Sequence, residues 1–197
     1  LPMGFSWAFW LSQEVHKAVS FEAAPDVPDE DYIVDRIPPH NLTEPSDYRC
    51  MLYADNGNHL SLSANEANRR REALSLCLNQ RGLATHETIE ASDLVETLGT
   101  EIDGKSGCVK PTSTRLGRIC AGLARVVSGK RAISGRDMER LIGHVTFVML
   151  LRRPLLSSLN HGYSFMQQHY RDCVVPSATV RGELNRIANL LVLARAS

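Results

Sequence analysis

Arg49-Cys-Met-Leu-Tyr-Ala-Asp55-Asn-Gly57-Asn-His59-Leu-Ser-Leu62 reads as two short extended segments meeting at a turn. Arg49–Ala54 is rich in apolar and aromatic side chains, and His59–Leu62 alternates polar and apolar as a returning strand does. Between them, Asp55-Asn56-Gly57 is a turn signal, because Asn and Gly tolerate the positive φ that a tight hairpin requires. The expected element is a β-hairpin that carries the Asp55 carboxylate at its tip.

The segments around this hairpin set the fold class. Residues 4–20 have the apolar spacing of a helix, with Phe5, Ala8, Phe9, Ser12, Val15 and His16 on one side. Residues 21–48 break that pattern with five prolines and a run of acidic side chains, so they read as an irregular acidic insertion. Residues 64–81 predict a second helix, with Ala67, Leu74, Cys77 and Leu78 inward and a stop at Gly82. A second extended pair is expected at 94–98 and 107–110, turned by Asp103-Gly104. From Pro111 onward the pattern is helical. Helices are expected over 112–127, from a Ser134/Asp137 capping box to Leu151, over about 155–170, and over 177–195. The fold class is therefore α+β, with helix and hairpins over 1–110 and an all-helical lobe over 111–197.

A formal net charge of zero conceals an asymmetry between these two parts. Residues 1–109 hold 8 Lys and Arg against 18 Asp and Glu, whereas residues 110–197 hold 14 against 4. A basic helical lobe suits a polyanion, and simple attraction between two opposite lobes is the competing explanation. The five cysteines form no CxxC pair and no Cys/His metal spacing, which fits a reducing intracellular compartment rather than a secreted disulfide framework. No apolar run reaches the roughly 18 residues that span a bilayer. The apolar start, Leu1 to Leu11, lacks the basic leading region of a signal peptide and begins inside what reads as a motif, as a fragment would.

Leu1-Pro-Met-Gly4-Phe5, followed by Gln13 nine positions after the glycine, resembles the reverse-transcriptase motif Leu-Pro-x-Gly-aromatic…Gln. Trp7, Ala8 and Phe9 stand where that family usually has a Ser-Pro segment. Tyr53-Ala-Asp55-Asn56 resembles the Tyr-x-Asp-Asp hairpin of the same enzymes, with Asn56 in place of the second carboxylate. Leu94-Val-Glu-Thr-Leu98-Gly99 is similar to the strand that grips the primer end. Residues 134–147, with Arg152-Arg153-Pro-Leu-Leu156, look like the thumb and connection of retrotransposons that encode a tyrosine recombinase. The segments follow the family's order along nearly the whole chain.

The resemblance implies a partial polymerase palm over 1–110, with an acidic insertion at 21–48, and a thumb-like lobe over 111–197. It implies two-metal nucleotidyl transfer by an RNA-directed DNA polymerase using Mg2+ or Mn2+. Asp55 and Asn56 would be the catalytic pair, with Asp55 the metal ligand. Gly4, Phe5, Gln13 and Tyr53 would bind the nucleotide, and Leu98 and Gly99 would form the primer grip. Arg115, Arg118, Arg125, Arg152 and Arg153 would follow the backbone of the nucleic acid. The partners would be an RNA template, a DNA primer and a dNTP. The family's first catalytic carboxylate belongs upstream of Leu1, so this isolated chain is expected to be inactive. The alternative is a non-catalytic nucleic-acid-binding or structural remnant of a decayed retroelement. A helical protein-interaction module would account for the C-terminal lobe alone. His144 reads as a core or groove residue, and Arg69, Arg70 and Arg71 as a solvated helix face.

Overall fold

The computed structural model describes residues 7–196. The chain is a mixed helix-and-sheet protein that divides into two compact units, Leu1–Ser92 and Asp93–Ser197. The division falls after Ser92, whereas the sequence placed it after residue 110. The cause lies in the second unit, where the last strand runs straight into the helices. Val109 also exchanges two backbone hydrogen bonds with Ala196, at 2.8 and 2.9 Å.

The first unit is built from α1 (Ala8–Ala23), β1 (Tyr48–Tyr53), β2 (Asn56–Ser61) and α2 (Ala64–Gln80). Ser63 caps α2 by accepting from the Glu66 N–H, and Gly82 at φ +76° lies just beyond its end. The buried side of α1 is His16, Val19 and Ser20. The segment between α1 and β1 holds one 3-10 turn, Asp29–Asp31, and is more than an acidic tether. Its Ala24, Val27 and Tyr32 are buried with Tyr48 and Cys50, and the Ile33 N–H donates to the Cys50 carbonyl at 2.7 Å. The insertion thus supplies apolar side chains to the core beneath the hairpin.

That hairpin turns earlier than Asp55-Asn56-Gly57 suggested. Its two loop residues are Ala54 and Asp55, with Tyr53 paired to Asn56 and Leu52 to Gly57. Gly57 therefore lies in the strand, where a side chain would be crowded. A Cβ there would stand 3.2 Å from Leu74 Cδ2 and 3.4 Å from the His16 ring.

The second unit opens with a three-stranded antiparallel meander: β3 (Leu94–Thr97), β4 (Thr100–Asp103) and β5 (Cys108–Pro111). The sequence had resolved only two of these strands. Leu98 and Gly99 form the additional turn, both left-handed at φ +50° and +76°, and Leu98 is not a residue that signals such a turn. Four helices follow: α3 (Ser113–Val127), α4 (Gly135–Met149), α5 (Asn160–Gln168) and α6 (Ala178–Leu190). Thr112, Ser134 and Ser177 cap three of them with side-chain oxygens, as the Ser134/Asp137 spacing predicted for α4. α4 ends at Met149, and a 3-10 stretch over Leu150–Ser158 contains Pro154 and a break at Arg152. Leu123, Met138, Ile142, Val145, Val148, Leu184 and Ile187 form a core with at most 1% exposure each. Gly135 packs against the backbone of residues 166–170, and Gly162 against Ile142, where a Cβ would come within 2.6 Å of Cδ1.

Candidate functional site

The tip of the hairpin is held by α1. Ala54 adopts φ +52°, a left-handed conformation costing an L-residue roughly 1–2 kcal/mol. Gln13 grips the backbone on both sides of it. The Gln13 Nε2 donates to the Leu52 carbonyl at 3.1 Å, and its Oε1 accepts from the Ala54 N–H at 2.6 Å. His16 Nδ1 lies 2.9 Å from the Ala54 carbonyl oxygen, so it is this nitrogen that carries the proton. Its Nε2 is buried without a partner among the described residues. One turn earlier, Phe9 sets its ring edge-on to Tyr53, with centroids 5.2 Å apart.

These contacts bring Gln13, Tyr53, Asp55 and Asn56 into one place, although 40 residues separate the helical motif from the hairpin motif. Gln13 is engaged by the hairpin backbone here, a role different from the nucleotide contact that the resemblance implies. Asp55 is exposed and accepts from Asn56 Nδ2 at 3.2 Å. Gly4 and Phe5 lie outside the described residues.

A pair of divalent cations needs several carboxylates around it. Among the described residues no three His, Cys, Asp or Glu side chains come together as a metal-holding group. Asp55 contributes one carboxylate and Asn56 a neutral amide whose nitrogen turns toward it. The described residues therefore do not fit a complete two-metal centre.

The remaining candidates lie in the second unit. Leu98 and Gly99 are the β3–β4 turn, and Arg115 is packed against them. A Cβ on Gly99 would stand 2.5 Å from the Arg115 guanidinium carbon, which itself sits 4.1 Å above the Phe147 ring centroid. Arg118 and Arg125 are exposed, seven residues apart, and share one side of α3. Arg152 and Arg153 are exposed in the broken 3-10 stretch. His144 lines a cleft with Arg115 and Arg118, a groove position rather than a core one.

Charge pairing differs sharply between the units. All six arginines of residues 1–92 have an acidic partner: Arg36 with Asp35, Arg49 with Asp31, Arg69 and Arg70 with Glu66, Arg71 with Glu72, and Arg81 with Glu22. Arg70 also pairs with Asp26 and holds that carboxyl down to about 2. Arg69–Arg71 is thus an ion-paired face, more than a solvated one. In residues 93–197, among the described residues, only Arg140 of twelve arginines has a carboxylate in range, Asp137 at 3.7 Å.

Two part-buried polar pairs went unread in the sequence, where nothing marks which polar side chains come to face one another. Glu183 on α6 is 4% exposed and accepts from the His161 N–H at 2.9 Å, the Gly162 N–H at 2.8 Å and His161 Nδ1 at 2.8 Å. Burial alone would raise its carboxyl, but these donors outweigh it and hold the group below its usual value. In the first unit Tyr48 Oη meets His59 Nδ1 at 2.5 Å across the hairpin. Burial, then His16, Arg71 and Arg70, push the His59 imidazole down to about 4, so Tyr48 donates to a neutral ring.

Comparison of the chain with protein-family models, with curated proteins and with solved structures found no match. Among the described residues no helix is long and apolar enough to cross a membrane.

Proposed function

We propose that the chain is part of an RNA-directed DNA polymerase of the retroelement type, its hairpin a piece of the palm and its arginine-rich helical unit a holder of primer–template backbone. The observation carrying this reading is the contact of Gln13 and Phe9 with the Tyr53–Asn56 tip. Two motif segments that resemble the same enzyme are neighbours in space. The twelve arginines of the second unit, eleven without an acidic partner among the described residues, support the backbone-holding role.

The chain itself is expected to hold nucleic acid without extending it, since the tip offers a single carboxylate. That feature, with Asn56, favours a second reading: a nucleic-acid-binding remnant with no polymerase role. The separating experiment is dissociation of a labelled RNA template with a DNA primer, timed with and without dNTP in a Mg2+ buffer. Under the polymerase reading the dNTP complementary to the next template base slows dissociation and mismatched ones do not. Asp55→Ala removes the difference. Equal rates with every dNTP leave the remnant reading. No binding at low salt defeats both.

A further inference from the structure

The second unit contains a cleft of about 330 Å³ between the first turns of α3 and the middle of α4. Its wall is Thr112, Thr114, Arg115 and Arg118 from the α3 side and Leu141 and His144 from α4, over Ile119. No carboxylate lines it, and the two guanidinium groups have no acidic partner among the described residues. A pocket whose charged groups are all cationic selects an anion.

Arg115 is fixed before any ligand arrives. Phe147 lies beneath its guanidinium plane at 4.1 Å, and the Leu98 carbonyl accepts from Nη1 at 3.5 Å, a long and weak bond. Stacking and one weak bond leave most of its five N–H donors available, and the fixed side chain loses little rotamer freedom on binding. Arg118 and His144 are exposed and free to close on a ligand from opposite sides. Thr114 offers a hydroxyl for which no partner exists among the described residues.

The surface beside the cleft lets a ligand come close. Gly117 precedes Arg118 in α3, Gly143 precedes His144 in α4, and a Cβ at either would meet nothing within 4 Å. Neither glycine is explained by packing inside the molecule, and each costs an exposed helix interior about 1 kcal/mol relative to alanine.

We propose that this cleft is a phosphate seat, with Arg115 as its preset donor and Arg118 and His144 as its closing pair. It takes one phosphodiester of a nucleic-acid strand that lies across Gly117 and Gly143. The proposal rests on the nucleic-acid reading above for its natural ligand but not for its chemistry. A tetrahedral phosphate accepts from several donors at once, and guanidinium matches it in a bidentate geometry.

The test uses the whole chain with two probes: a fluorescein-labelled RNA–DNA hybrid followed by anisotropy, and inorganic phosphate followed by NMR shifts of the Arg115 and Arg118 Nε–H and the His144 ring. Expected for Arg118→Ala and His144→Ala is hybrid binding weakened about tenfold or more at low salt, with the log–log salt slope shallower by roughly one for Arg118→Ala. Gly143→Ala should raise the unfolding midpoint and yet weaken binding, a combination that a purely structural role does not produce. Phosphate should shift the Arg115, Arg118 and His144 signals with the hybrid absent. If phosphate shifts them while the hybrid fails to bind, the seat stands and the polymerase reading falls. If the hybrid binds as tightly to Arg118→Ala and His144→Ala as to the wild type, the seat is overturned, whatever becomes of the polymerase reading.

Discussion

Gln13 and Ala54 are joined at 2.6 Å through the Gln13 Oε1 and the Ala54 N–H, and the same carboxamide donates to Leu52 on the near side of the turn. One side chain of α1 therefore fixes the backbone of the residue whose φ is +52°. Gln13→Ala leaves a partly buried N–H and a carbonyl without partners, and should destabilise the chain by about 1–3 kcal/mol. Ala54→Gly, which removes the left-handed penalty, should be neutral or stabilising by up to about 1 kcal/mol. Urea unfolding of the two variants checks both signs. A stabilised Gln13→Ala would mean that the clamp is not formed.

His59 should make the first unit sensitive to mild acid. Its imidazole is pushed from 6.5 to about 4 in the fold, so the unfolded chain takes up the proton first. The stabilisation is complete above about pH 6.5 and is lost as pH falls toward 4, by roughly 3 kcal/mol at most. Urea midpoints from pH 7.5 to 4 should fall in the wild type and flatten over that window in His59→Gln. A profile that is equally steep in both would assign the dependence elsewhere.

Glu183 and Gly162 lock α5 to α6 and α4. Glu183→Ala strips two backbone N–H groups and the His161 ring of their shared acceptor and should cost about 3 kcal/mol. Gly162→Ala drives a Cβ to within 2.6 Å of Ile142 Cδ1 and should cost about 1–3 kcal/mol. The folded Glu183 carboxyl lies below its ordinary 4.5, so its contribution is present above that pH and disappears as pH falls through the lowered value. Thermal melts of the variants, with wild-type melts extended below pH 4.5, measure all three effects.

Primer extension on a primed RNA template should yield no product above a no-protein control with either Mg2+ or Mn2+. The reason is the single carboxylate at the hairpin tip and the lack of a metal-holding group among the described residues. Product that disappears in Asp55→Ala would show that one aspartate supports more chemistry than its charge suggests.

Arg152→Ala with Arg153→Ala should weaken binding of labelled RNA–DNA hybrids by a similar factor for every sequence tested, since backbone contacts carry no base information. Anisotropy titrations on three unrelated hybrids would reveal a sequence-dependent loss and thereby a base contact.

The sequence by itself determined the element types outside the β3–β4 turn and the 3-10 stretch that follows α4. Local signals placed α2, α3 and α4 within a few residues, because the Ser134/Asp137 cap, the stop at Gly82 and the helical apolar period act over one or two turns. It also placed the arginine excess, since charge counting needs no coordinates. The hairpin register was decided by tertiary structure. Asn56-Gly57 is a strong turn signal, yet Gln13 and His16 hold Ala54 in the turn, and Gly57 falls in the strand, where Leu74 and His16 would crowd a Cβ. The Leu98-Gly99 turn was hidden for the same reason: a leucine at φ +50° is imposed by the surrounding meander, not preferred by the residue. Which cations are free was likewise settled only in three dimensions. The sequence counts arginines, but their availability depends on whether a carboxylate folds to within about 4 Å, where Coulomb attraction competes with hydration. Arg69–Arg71 find such partners, and Arg118 does not.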